Sequence, residues 1–146
     1  MPHELILKKL ERIEELLKEL ERLLRFSFSE FRADMLVVRT AERDFQLIVD
    51  LASDINTQII VEKEGRTPDT YKESFSRLEK VKVLDYELAQ RLVESAQIRN
   101  ILVHEYDFEE DYEKFYRAAK KLLPSYREYI KSVYKYVKNL VTHREQ

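Results

Sequence analysis

The octet Arg99-Asn100-Ile101-Leu102-Val103-His104-Glu105-Tyr106 sets three chemically capable side chains among apolar ones. Histidine both takes and gives a proton near neutral pH. Arginine offers a fixed fork of donors that matches phosphate oxygens. The pair is a minimal kit for cleaving RNA without a metal. The 2′-hydroxyl, present in RNA and absent from DNA, would serve as nucleophile. His104 would handle its proton, Arg99 would stabilise charge developing at phosphorus, and Asn100 would add a hydrogen bond. A structural alternative stands beside this one. His104 could cap the last carbonyls of a helix, Arg99 could pair with Asp50 or Asp54, and Tyr106 could be a core tyrosine.

The elements that must present the octet read as helices. One glycine and three prolines in 146 residues are too few for a turn-rich chain, and 37% charged with 44% apolar residues suits amphipathic helices. A first helix is expected from about Glu4 to Arg25, its seam Ile6, Leu10, Ile13, Leu17, Leu20 and Leu24 spaced by fours and threes. That seam suits packing within the domain or against a second chain. Ser27 or Ser29 caps a second helix, expected over Glu30 to Glu64 and closed by Gly65. Asp50 and Asp54, one turn apart on it, could line a cleft, and they supply only two positions for a metal. Thr67-Pro68-Asp69 starts a third helix near Pro68, with core residues Tyr71, Phe75 and Leu78. Asp85 caps a fourth, whose seam Leu88, Leu92, Ser95, Arg99, Leu102 and Tyr106 places Arg99 on a core-facing register. The fifth runs from the acidic stretch at residues 107–113 to the end, and its unbroken register through Pro124 predicts a kink rather than two helices. The expectation is an all-α up-and-down bundle of about five helices, one domain over residues 1–146.

Composition excludes other classes. Without cysteine there is no disulfide framework and no thiolate metal site. No apolar run approaches the ~20 residues of a membrane span, and charges throughout the first 25 residues are unlike a signal peptide. A cytoplasmic protein is expected. A net charge of −2 gives no global basic field for coating DNA. Arg127, Lys131, Lys135 and Lys138 form a basic row that is either a solvated face or a guide for RNA or an acidic partner. One glycine precludes a glycine-rich phosphate loop, so the chain is not expected to bind ATP through such a loop, and no cofactor is expected.

Geometry adds a constraint. At ~100° per residue, positions five apart lie about 140° apart on an α-helix, so Arg99 and His104 would not aim at one point. Either the helix ends near His104, or the long arginine bends round, or two copies of the chain combine their motifs about a two-fold axis.

Arg99 to His104 matches the R-x4-H motif of the HEPN superfamily, and Tyr106 extends it to the R-x4-H-x-Y form of the HepT-like (DUF86) group. Thr67-Pro68-Asp69-Thr70-Tyr71, Phe75, Leu78, Leu88-Ala89 and Leu92 also resemble that group, over essentially the whole chain. Ala96 and Gln97 stand where relatives often carry glycine, which predicts a more regular helix there. The resemblance implies a homodimeric ribonuclease toxin with Arg99 and His104 in a cleft between protomers. It also implies that Tyr106 accepts AMP units from a partner nucleotidyltransferase, an MntA-type antitoxin. Phosphates placed beside Arg99 and His104 would repel the RNA. A non-catalytic module that holds a nucleotidyltransferase or a nucleotide in the same cleft is the other reading.

Overall fold

The computed structural model describes residues 2–105 and 108–145, and every described element is helical. They are α1 (Pro2–Leu23), α2 (Phe28–Ala33), α3 (Met35–Glu64), α4 (Tyr71–Lys80), α5 (Tyr86–Asn100), a π-helical turn (Ile101–Glu105) and α6 (Phe108–Glu145). The all-α bundle is therefore as the patterning requires, with two boundaries that differ.

The first difference is at Asp34. The expected helix over residues 30–64 is two helices, because the Asp34 side chain accepts from the Leu36 and Val37 amides while its backbone is extended. An aspartate that caps the following helix interrupts the preceding one. Upstream, Ser27 and Glu30 form a reciprocal capping box that starts α2 at Phe28. Met35 is exposed because it sits at this break. The second difference is at α4, which starts at Tyr71 rather than Pro68. Thr70, not Thr67, accepts from the Glu73 amide, and Glu73 reaches back to the Asp69 amide.

Other boundaries match their signals. Gly65 closes α3 with φ +75°, its amide bonded to the Val61 carbonyl at 2.9 Å. Pro124 lies within the single 38-residue α6. The carbonyl that loses its donor there belongs to Lys120, on the exposed face of the helix. No helix among the described residues is long and apolar enough to cross a membrane.

α3 is the spine. α1 packs along it and against α6, while α4 and α5 pack on each other and on α3 and α6. All six residues of the α1 seam are buried, as are Phe75 and Leu78 of α4. From α6, Tyr112, Phe115, Ala119, Leu122, Tyr126, Tyr129 and Val133 are buried. A polar network is buried among them. Tyr129 donates to Asn56 Oδ1 (2.6 Å), and Asn56 donates to the Ser74 hydroxyl (3.1 Å), tying α6, α3 and α4 together.

One buried group in this frame is costly. Asp44 of α3 is buried beside the Glu19 carboxyl of α1. Burial, then the hydrogen bond and charge of Glu19 on α1, push its carboxyl up to about 7, against the pull of Arg12 and Arg22. The folded state thus holds a proton that the unfolded chain has released, so stability falls as pH rises from about 4 to about 7. Asp44→Asn is expected to remove that fall and to stabilise the protein at pH 8 by roughly 1–2 kcal/mol. Urea denaturation at pH 5 and pH 8 reads this directly, and an unchanged pH dependence in the variant would show that Asp44 does not cause it.

Candidate functional site

α5 begins at Asp85, whose carboxylate accepts from the Leu88 amide at 2.8 Å. The helix stays regular through Ala96 and Gln97, as expected, and its apolar face turns Leu88, Leu92, Ser95 and Ala96 into the core. The same register carries Arg99 to the edge of that core. A guanidinium cannot drop its charge, so the fold must supply partners where water is excluded.

The partners come from two other helices. Arg99 Nε donates to Asp50 Oδ1 of α3 at 2.9 Å, and the Arg99 and Asp50 side chains are 17% and 28% exposed. The guanidinium carbon also lies 4.7 Å from the centre of the Tyr71 ring, at the first position of α4. Asp50 and the Tyr71 ring thus meet at Arg99, a triangle of α3, α4 and α5. Burial pushes the Tyr71 phenol above its ordinary value. Asp50 adds to the rise and Arg99 opposes it. Arg99 thus has both partners that a core register demands. Among the described residues no hydrogen bond engages its terminal nitrogens, so the fork that matches a phosphate is not consumed.

After Asn100 the helix widens. Residues 101–105 form a π turn, in which hydrogen bonds reach five residues along the chain rather than four. Such a turn advances less per residue than an α-helix. A five-residue spacing therefore comes closer to one full revolution, and the 140° separation expected of Arg99 and His104 narrows. The uniform 100° steps behind the geometric constraint therefore do not hold here, a departure that none of the three expected solutions included.

His104 and Asn100 are exposed, and Val103 between them is 40% exposed. No hydrogen bond or ion pair joins His104 to Arg99 among the described residues. The structure thus gathers Arg99, Asp50 and Tyr71, and leaves His104 and Asn100 facing outward beside them. Tyr106 lies outside the described residues. Asp54, the other acidic residue considered for a cleft, lies 3.7 Å from Lys9 of α1, so both carboxylates face cations. The basic row lies on the exposed side of α6, where Arg127 pairs with Glu21 at 2.7 Å.

Tyr71 is the site residue that the sequence did not disclose, since its spacing to Phe75 and Leu78 reads as core. The available signal was Arg99 itself, because a charge on a buried register implies counter-groups on facing helices. A buried charge calls for a counter-ion such as Asp50, and it does not specify an aromatic face beside it. The pairing predicts a measurable coupling. Arg99→Ala and Asp50→Ala are each expected to destabilise the fold, and the double variant to cost about 1 kcal/mol less than their sum. Strict additivity in urea denaturation would mean that the two charges do not stabilise each other.

Comparison with known proteins gives a consistent picture. A family model described as "Ribonuclease HepT-like" matches residues 13–133. A protein named tRNA nuclease HepT, from Aphanizomenon flos-aquae (strain 2012/KM1/D3), is 31% identical over 138 residues, covering 94% of this chain and 91% of the relative. In fold, the chain is similar to the tri-AMPylated Shewanella oneidensis HEPN toxin solved in complex with MNT antitoxin. The TM-score is 0.80 at 20% identity, over 90% of this chain and 97% of that one. The Bacillus subtilis protein YutE, described as cytosolic and of unknown function, is similar at a TM-score of 0.69 and 19% identity, over 88% of this chain and 90% of that one.

Proposed function

The chain belongs to the HepT-like family of the HEPN superfamily, and we propose that it is a metal-independent endoribonuclease, the toxin of a toxin–antitoxin pair, acting in the cytoplasm. The observation that supports this most is the R-x4-H pair itself. Among the described residues Arg99 is anchored with its terminal nitrogens unengaged, and an exposed His104 follows across a π turn of the same five-residue reach.

The reaction uses the substrate's own 2′-hydroxyl. The 2′-oxygen attacks the adjacent phosphorus and its proton passes to His104. The P–O5′ bond breaks, and a proton returned from a histidine neutralises the leaving 5′-oxygen. The products are a 2′,3′-cyclic phosphate and a 5′-hydroxyl. Arg99 stabilises the negative charge that grows on the non-bridging oxygens, and Asn100 adds a hydrogen bond. The domain spans residues 1–146 and works as a two-fold homodimer, with the cleft shared so that one protomer's groups supplement the other's. The Aphanizomenon relative's name makes tRNA the first RNA to try. Tyr106 is the acceptor of AMP units from an MntA-type nucleotidyltransferase antitoxin. The added phosphates place negative charge where RNA must approach.

The test is cleavage of tRNA in chelator by the unmodified protein. Arg99→Ala and His104→Ala are each expected to lower the rate at least about 100-fold, and the products to carry cyclic phosphate ends. Cleavage by neither wild type nor variants would favour a non-catalytic module that holds a nucleotidyltransferase or nucleotide. A strict monomer by light scattering at micromolar concentration would remove the shared cleft. For the modification, intact mass after co-expression with the antitoxin should rise by whole AMP units, and Tyr106→Phe should abolish the rise. Addition that persists in Tyr106→Phe would place the acceptor elsewhere.

A further inference from the structure

A catalytic arginine must meet its phosphate in one orientation, yet a free arginine side chain loses about 2 kcal/mol of rotamer freedom when fixed. Here the fixing is done in advance by residues outside the R-x4-H motif. Asp50 holds Arg99 by Nε alone, the one nitrogen on the near edge of the fork. The Tyr71 ring lies against the guanidinium at 4.7 Å.

We propose that Asp50 and Tyr71 are positioning residues for Arg99, a carboxylate-and-ring clamp that orients its two terminal nitrogens toward a substrate phosphate. The inference rests on the nuclease reading above and adds to it residues on α3 and α4.

The composition of the clamp suits that task. A second carboxylate in place of Tyr71 would hold the guanidinium equally well, and would set another negative charge beside an incoming phosphate. The ring attracts the cation through its quadrupole and adds no net charge. Contact at Nε also keeps Asp50 on the opposite edge of the fork from the atoms that grip phosphate in a two-point contact. The support is itself rigid. Tyr71 is the first residue of α4, fixed by the Thr70 cap, and one turn on Ser74 is held in the buried network with Asn56 and Tyr129.

Two measurements on the full-length protein test this. In the first, tRNA cleavage is compared for wild type, Arg99→Ala, Asp50→Asn, Tyr71→Leu and Tyr71→Phe, at a temperature where circular dichroism shows each to be folded. Asp50→Asn and Tyr71→Leu should lower kcat at least about 10-fold with KM within about twofold, because a misaimed Arg99 loses stabilisation made only in the transition state. Tyr71→Phe, which keeps the ring under Arg99, should recover kcat to within about threefold of wild type. In the second, NMR follows exchange of the Arg99 Nε proton, identified by its loss in Arg99→Ala. It should be slow in wild type and at least about 10-fold faster in Asp50→Asn. Full kcat in Asp50→Asn and Tyr71→Leu, with Arg99→Ala inactive, overturns the clamp and leaves the nuclease reading standing. So does an Nε proton that exchanges in wild type as fast as in exposed arginines. If Arg99→Ala cleaves as well as wild type, or wild type cleaves nothing, the nuclease reading falls and the positioning role falls with it.

Discussion

A permanent positive charge on the inward register of α5 is the constraint that organises this bundle. Removing a guanidinium from water costs several kcal/mol, and the cost is recovered only if partners sit at hydrogen-bonding range with the right geometry. Arg99 meets that condition through Asp50 and the Tyr71 ring, which lie 21 residues apart in sequence on different helices. Bringing them together requires α3 to end where it does. Gly65 in the left-handed conformation closes α3, and the short link to Thr70 returns Tyr71 to the Asp50 side of the spine. The Ser53, Asn56, Ser74 and Tyr129 network then locks α3, α4 and α6 beside the triangle, so its corners do not drift separately.

Much of this was legible in the sequence, and what was not has physical causes. Periodicity located the buried face of α1 and the long run of α6 through Pro124, because apolar spacing there is uninterrupted and a helix tolerates one proline whose freed carbonyl lies on its exposed face. Gly65 announced itself as the chain's single glycine. The break at Asp34 was hidden because the apolar register of Phe31, Val38 and Phe45 continues across it. Only the competition of the aspartate side chain for the next helix's amides decides the matter. Thr67 and Thr70 are both plausible caps, and the winner is Thr70, whose hydroxyl accepts from the Glu73 amide while the Glu73 carboxylate accepts from the Asp69 amide just before the cap. Core registers say that a residue faces inward but not what it touches, so Tyr71 looked like an ordinary core aromatic.

The same limit applied to the separation of Arg99 and His104. Uniform 100° steps made their convergence look impossible within one helix, and the structure breaks the uniformity where the difficulty lay. Ile101 and Val103 are β-branched, which weakens the α-helix locally without stopping it as glycine or proline would. A widened turn forgoes some i to i−4 hydrogen bonding, so it persists only where surrounding contacts or function favour it. Leu102 and Ile101 pack on the core from this turn, which holds its inner side while His104 stays outside.

On the nuclease reading proposed above, that division between an inner and an outer side would separate two demands that conflict in one residue. A group that stabilises charge gains from low dielectric and fixed orientation, whereas a group that shuttles protons must reach solvent and substrate in both protonation states. Arg99 is part-buried and held by α3 and α4, and His104 is exposed five residues later. A regular α-helix would grant both demands only by pointing the two side chains apart. Widening the helix between them keeps the difference in burial while reducing the difference in direction. A shared target for the two side chains, as that reading proposes, would depend most directly on the π turn. Restoring regular α geometry there would leave every named residue in place and still separate the pair.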